Sequence, residues 1–351
     1  MKIIARAPCR VDPAGGGTDA PPYCIEYGGE VVNFSVSRHA FVSFERLPKN
    51  SGMTIYSHDL KKGVHAPSVR DLKYDGQIDF LKAFVKRLLP EETDFMIITR
   101  SEVPERTGLG GSGAMGVAMV GAIAHVLGHT MAKNEIALLA NEIERKDLGH
   151  SGGNQDSFGA AMGGIKQITY PKGGGDTCRR LKVSVGTISQ LERDSLMIYT
   201  GDVHLSGSIH TDIKKSYALI DSPTIKAMDN LKAAALNMAR ALEAGDLNAY
   251  DECLNASRLN HYALHESCNS NTLQTFFKSL APYIRSGKTC GAGGGGFIFV
   301  HARQAHYNEC VRIAESLNGK VYPFKLDELG VTVWEEPPSS ADEIKSIRAM
   351  N

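Results

Sequence analysis

With 351 residues, 42% of them hydrophobic, the chain is long enough for one large domain or two smaller ones. Its 39 Lys and Arg balance 39 Asp and Glu, so there is no charge excess to attract a polyanion such as nucleic acid. Cysteines at 9, 24, 178, 253, 268, 290 and 310 are scattered and odd in number, which argues against metal-binding pairs or a complete disulfide framework and for reduced, mostly buried thiols.

The N-terminus, residues 1–8, reads as a strand running into a site, not as a signal peptide. No apolar run approaches the roughly 18 residues of a membrane helix, so a cytoplasmic protein is expected. Residues 3–7, 30–37 and 39–45 have the β-branched and aromatic character of strands, with shorter candidates at 53–57 and 95–99. Phe80, Phe84, Val85, Leu88 and Leu89 set a helical spacing over 79–89. Residues 115–127 are almost wholly small or apolar and predict a buried helix. An amphipathic helix follows at 134–146, with Ile136, Leu139, Ala140 and Ile143 on one side. Strands are expected at 165–169, 196–199, 297–300 and 331–334, and helices at 224–242, 247–258 and 302–317. Residues 171–175 read as a domain boundary or a hairpin tip, and 200–208 as a polar loop. The pattern is α+β, without the regular alternation of a doubly wound sheet.

Three glycine-dense segments stand out: 14–19 (Ala-Gly-Gly-Gly-Thr-Asp), 108–114 (Gly-Leu-Gly-Gly-Ser-Gly-Ala) and 290–296 (Cys-Gly-Ala-Gly-Gly-Gly-Gly). Glycine lets backbone N–H groups approach an anion, and a helix N-terminus adds unpaired donors and a positive dipole end. The second segment opens the small-residue helix and so reads as a phosphate cradle, although a tight strand-to-helix turn would have the same composition. Ser112 can cap that helix or contact Mg²⁺. Acids at 142, 144 and 147 fit a solvated helix face or a metal contact, and spacing does not choose among them. Asp156, set among glycines and small residues, fits either a turn or a group that orients a hydroxyl and accepts its proton. Arg10 and Asp19 flank the first glycine segment, as a structural ion pair or as recognition groups for a hydroxyl-rich substrate.

In their order, residues 7–12 (Ala-Pro-Cys-Arg-Val-Asp), 104–114 and 289–296 resemble the three motifs of the GHMP small-molecule kinases, over nearly the whole chain. The family is named for galactokinase, homoserine kinase, mevalonate kinase and phosphomevalonate kinase. The resemblance implies a two-lobed α+β fold with the active site in the cleft between lobes, assigned here as 1–185 and 186–351. It implies ATP and Mg²⁺, with Gly108, Leu109, Gly110, Gly111, Ser112 and Gly113 around the phosphates and Ser112 and Glu144 at the metal. Asp156 would be the catalytic acid and Arg10 a basic residue beside the reacting centre. Gly16, Gly17, Thr18 and Asp19 would face the sugar, with Gly293 and Gly294 on the substrate side of the third segment.

Within the family, residues 14–19, 142–149 and 153–156 resemble the branch acting on D-glycero-D-manno-heptose 7-phosphate, which implies the 1,7-bisphosphate as product. Residues 14–16 and 21–23 also resemble L-fucokinase domains, so a neutral-sugar 1-kinase stays open, as does a sensor that binds without transferring phosphate. A phosphorylated acceptor calls for basic groups, for which Arg258, His204, His210 and His261 are the candidates. The expected partner is a small sugar or sugar phosphate, with neither nucleic acid nor membrane, and a homodimer is left open.

Overall fold

A computed structural model describes residues 1–149, 153–201 and 223–348. The first sheet is built from β1 (Lys2–Ala14), β2 (Gly29–Arg46), β3 (Met53–Ser57), β4 (Lys62–Ala66), β5 (Phe95–Ser101), β6 (Ile165–Tyr170) and β7 (Thr177–Arg180). β2 is its spine, pairing antiparallel with β1, with β5 through its second half and with β6 through its first half. The expected strands 30–37 and 39–45 are one strand. Pro8 lies opposite His39 but Cys9 opposite Val36, so the register slips across 37–38. Such a bulge bends the strands locally.

The second sheet is antiparallel, in the order β11 (Lys320–Pro323), β8 (Ser195–Tyr199), β10 (Phe297–Ala302) and β9 (Ile284–Thr289). The two sheets divide the molecule into the expected two lobes. β12 (Thr332–Glu336), although it belongs to the stretch assigned to the second lobe, returns to pair with β1. Its side of β1 is open because β2 covers only the other edge. The strand expected at 331–334 is thus an edge of the first sheet.

The helices are α1 (Tyr23–Tyr27), α2 (Asp79–Leu88), α3 (Gly111–Val126), α4 (Lys133–Lys146), α5 (Gln155–Met162) and α6 (Val185–Asp194). They continue as α7 (Pro223–Ala244), α8 (Leu247–Tyr262), α9 (Asn271–Leu280), α10 (Tyr307–Ser316) and α11 (Ala341–Arg348). α3 is buried on every side from Gly113 to Ala124, as a helix without a polar face must be. Gly116 receives the Phe84 ring from α2, and Gly121 receives Val331 and Val333. α4 buries Ile136, Ala140 and Ile143 and leaves none of its charged side chains buried, as its periodicity requires. The helix expected at 302–317 begins only at Tyr307, because β10 holds the chain extended through Ala302. All seven cysteines are free, five of them buried. Residues 202–208 of the anticipated polar loop, with His204 and His210, lie outside the described residues.

A buried ion pair joins the two sheets. Asp12 of β1 accepts a bond from Lys288 Nζ of β9 at 3.2 Å, and both side chains are at most 2% exposed. Burial opposes ionisation of Asp12, but Lys288, Arg10 and the Gly291 N–H hold its carboxyl below the ordinary range. Removing one partner strands the other charge. Asp12→Ala is therefore expected to cost about 3–5 kcal/mol in denaturant unfolding, and Asp12→Ala with Lys288→Met clearly less than the single change.

Candidate active site

β5 leads through residues 102–110 into α3, and the turn depends on glycine. Gly108 and Gly110 take left-handed backbone angles, φ +84° and +67°. A Cβ on Gly108 would lie 2.4 Å from the Cys290 carbonyl oxygen, and one on Gly291 would lie 2.8 Å from the Gly108 Cα. Phe297 N donates to Thr107 O at 2.9 Å. The second and third glycine segments therefore lie backbone to backbone. Arg10 N donates to Leu109 O at 2.9 Å, which lays β1 alongside the turn. Gly110 is the N-cap of α3 and carries no capping side chain, and Ser112 is exposed on the helix's first turn. The first-turn donors of α3 are thus not consumed by a cap.

Asp156 lies in the first turn of α5 and packs against that same turn. A Cβ on Gly110 would be 3.1 Å from the Asp156 Cγ, and one on Gly113 only 2.6 Å from its Cβ. The residue is not a cap: the N-cap of α5 is Asn154, and the Asp156 carboxylate is held by Arg10, with Nε at 2.7 Å and a terminal nitrogen at 2.6 Å. The other terminal nitrogen of Arg10 donates to Gly108 O. The guanidinium is 5% exposed, whereas the Asp156 side chain keeps 28% of its surface accessible. Burial opposes the Arg10 charge, but Asp156 and Asp12 more than offset this and raise its pKa. For Asp156 burial is the largest influence and raises the pKa, Glu144 and Asp12 adding to it while Arg10 opposes.

The three acids of α4 and its C-terminus, equivalent by spacing, differ in structure. Glu142 is engaged by Arg87 at 3.1 Å and Lys146 at 3.0 Å, and Asp147 lies 3.9 Å from Arg87. Glu144 is half-buried, and its charge acts on Asp156. A carboxylate oxygen is the kind of donor a hard cation such as Mg²⁺ takes. Among the described residues no three His, Cys, Asp or Glu side chains form a ligand cluster, so phosphate oxygens would have to complete the shell.

The residues expected on the sugar side are mostly committed internally. Asp19, 4% exposed, accepts from Gly17 N at 3.1 Å, from Gln155 Nε2 at 3.2 Å and from Gln155 N at 3.4 Å. Burial, with the charge of Asp156, pushes its carboxyl up to about 6 against those backbone N–H groups. Thr18 is fully buried, its hydroxyl bridging Gly15 O and Glu30 O. Gly16 lies over Asp12, and Gly17 is partly exposed near Met228 of α7. Gly293 and Gly294 are buried, Gly293 beneath His261. Among the basic candidates, Arg258 stacks on Phe277 at 4.6 Å and His261 is 3% exposed.

Sequence reasoning did not single out Asp12, Lys288 or Gln155. Asp12 had a usable signal: it lies two residues beyond Arg10 on one strand, hence on the same face. Lys288 and Gln155 had none, because their partners are 276 and 136 residues away.

Residues 78–164 match the model for the GHMP kinase N-terminal domain. The chain is 30% identical over 341 residues to the D-glycero-alpha-D-manno-heptose 7-phosphate kinase of Campylobacter jejuni, covering 95% of this chain and 99% of that one. It is 25% identical to the L-fucokinase/L-fucose-1-P guanylyltransferase of Bacteroides fragilis, covering 86% of this chain but only 34% of that protein. Among solved structures, a D-glycero-D-manno-heptose 1-phosphate kinase from Bacteroides thetaiotaomicron superposes with a TM-score of 0.80. It is 27% identical and is covered completely by 96% of this chain. No helix among the described residues is long and apolar enough to cross a membrane.

Two glycines in the first turn of α3 should respond differently to a methyl group. A Cβ on Gly111 meets only a Val103 methyl at 3.4 Å, whereas on Gly113 it would intrude on Asp156 and the Ser157 nitrogen. Thermal or urea unfolding should show Gly111→Ala neutral or stabilising by up to about 1 kcal/mol. Gly113→Ala should cost about 1–3 kcal/mol through overpacking.

Proposed function

The chain belongs to the GHMP kinase family and is a small-molecule kinase, and on that premise we propose that it phosphorylates the anomeric hydroxyl of a sugar phosphate with ATP as donor. The acceptor that fits best is D-glycero-D-manno-heptose 7-phosphate, giving the 1,7-bisphosphate. The full-length similarity to the Campylobacter heptose 7-phosphate kinase supports that choice. One observation carries the reading: Asp156, partly accessible and held by Arg10, packs directly against the glycine turn at the N-terminus of α3.

The residues divide the work as follows. The N–H groups of the turn and of the first turn of α3 receive the donor's phosphates, while Gly108 and Gly110 keep the backbone free of obstructing side chains. Ser112 and Glu144 would hold Mg²⁺, which when bound neutralises phosphate charge. Asp156 accepts a hydrogen bond from the acceptor hydroxyl and takes its proton as the new O–P bond forms and the bond to the ADP oxygen breaks. Arg10 acts on the reaction through Asp156 and Gly108, orienting the carboxylate and opposing its neutralisation. Asp19 orders the Gln155 end of α5 from its buried position.

The test is a Mg-ATP assay against phosphorylated and unphosphorylated heptoses and hexoses, with the phosphorylated carbon of the product identified. Transfer to C1 of heptose 7-phosphate is expected. Preference for L-fucose or another unphosphorylated sugar would move the acceptor assignment, and binding without transfer across the panel would refute the kinase reading. Asp156→Asn should fold, retain nucleotide binding and lose about 10²–10⁴ in kcat, the range for a positioned acid or base. Because burial raises the pKa of Asp156, the acid limb of kcat should lie above the ordinary carboxylate range. Activity should fall as pH drops through that limb, since protonated Asp156 can no longer accept the hydroxyl's proton.

A further inference from the structure

Lys166 of β6 is fully buried, and its ammonium is surrounded by neutral oxygens. Its Nζ donates to Ser35 Oγ at 2.8 Å, Gly164 O at 3.0 Å and Asn33 Oδ1 at 3.2 Å, with Asn33 O at 3.4 Å. An ammonium only donates, so it fixes how both neighbouring side chains present themselves. With its Oδ1 taken by Lys166, Asn33 turns its Nδ2 to Gln155 O at 3.1 Å. With its lone pair taken, Ser35 Oγ donates to Gly159 O. Those carbonyls lie four residues apart on α5, either side of Asp156. Gly159 completes the seat: a Cβ there would come within 2.9 Å of both Arg10 Cβ and Asn33 Oδ1.

We propose that Lys166 is a positioning residue for phosphoryl transfer, acting through Asn33 and Ser35 to hold α5, and with it Asp156, against the start of α3. The assignment rests on the reading of Asp156 as the group that accepts the acceptor's proton. Lys166 touches no reacting atom. It sets hydrogen-bond direction two bonds away, in a buried network where a missing donor leaves its partners unsatisfied.

The protonation state of this lysine matters to the same geometry. Burial is the largest influence and lowers its pKa to about 7. Cys178 of β7 and Asp327 oppose that shift, while Arg180 of β7 and Arg10 of β1 reinforce it. α5 presents Asp156, already paired with Arg10, and β2 presents the neutral Asn33 and Ser35. As pH rises through the lysine's pKa, the ammonium's three donors become two donors and a lone pair, and one of the fixed directions is lost. The hold on α5 is therefore strongest on the acid side.

The experiment compares the full-length wild type with Lys166→Met, which keeps the aliphatic stem, and with the milder Ser35→Ala. Turnover is measured at saturating substrates from pH 6 to 8.5, and hydrogen–deuterium exchange is followed over residues 153–162. For Lys166→Met, kcat at pH 6 should fall about tenfold or more with KM values within about threefold, as expected for a displaced catalytic group. The ratio of wild-type to mutant turnover should then shrink as pH rises, and a ratio cancels the titration of the substrate. Exchange at 153–162 should quicken in both variants while that in β5 stays unchanged, and the double mutant should be no worse than Lys166→Met. A folded Lys166→Met or Ser35→Ala protein with wild-type kcat and unchanged exchange overturns the assignment, as does a turnover ratio independent of pH. These failures leave the kinase reading intact if the wild type transfers phosphate and Asp156→Asn does not. A wild type that transfers none defeats that reading and, with it, the catalytic part of this one.

Discussion

The geometry of the site depends on two like-facing charges of one strand. Arg10 and Asp12 lie two residues apart on β1, so their side chains leave the same face of the first sheet. Arg10 reaches Asp156 and the Gly108 carbonyl, and Asp12 reaches Lys288 and the Gly291 N–H. One strand thereby fixes the helix bearing the candidate base, the turn that would cradle phosphate and the edge of the second sheet. Removing Asp12 alone would strand Lys288 away from water, and removing Arg10 alone would leave the half-buried Asp156 without its counter-charge. The alternation of a strand thus becomes a constraint on three distant segments.

The glycines follow from that convergence. Three chain segments and a helix meet at backbone separation, and at several points no Cβ would fit: Gly108 meets Cys290, Gly113 meets Asp156, Gly16 meets the Asp12 carboxylate and Gly296 meets Thr107. Part of the glycine content therefore serves this packing. Gly113 belongs to the packing of α3 against α5, whereas the open, uncapped start at Gly110 and Gly111 is the part fit to receive an anion. Ser112 replaces neither function, since it is exposed and makes no cap.

What was legible in the sequence was local. The all-apolar stretch of α3 and the 3.6-residue pattern of α4 carry their own signal, as do the alternating and aromatic strands. The glycine segments announced a turn that would admit an anion. What was not legible depends on contacts between remote residues. Spacing could not separate Glu142, Glu144 and Asp147, because the difference is Arg87, which draws the first and last away from the site. α5 was hidden by its shortness and by Gly159, which disfavours a helix in isolation and is retained because Arg10 and Asn33 press against it. The return of β12 to β1 likewise spans more than 300 residues of chain, with no local pattern to mark it.

The same convergence explains why a carboxylate in so positive a setting still has a raised pKa. Asp156 has a guanidinium in contact and lies beside the beginnings of two helices, all of which favour its charged form. Burial outweighs them, and the charges of Glu144 and Asp12 act in the same direction as burial. Burial and the two acids push the carboxyl up while Arg10 pulls it down. These opposing influences come from β1, α4 and α5 together rather than from any one motif.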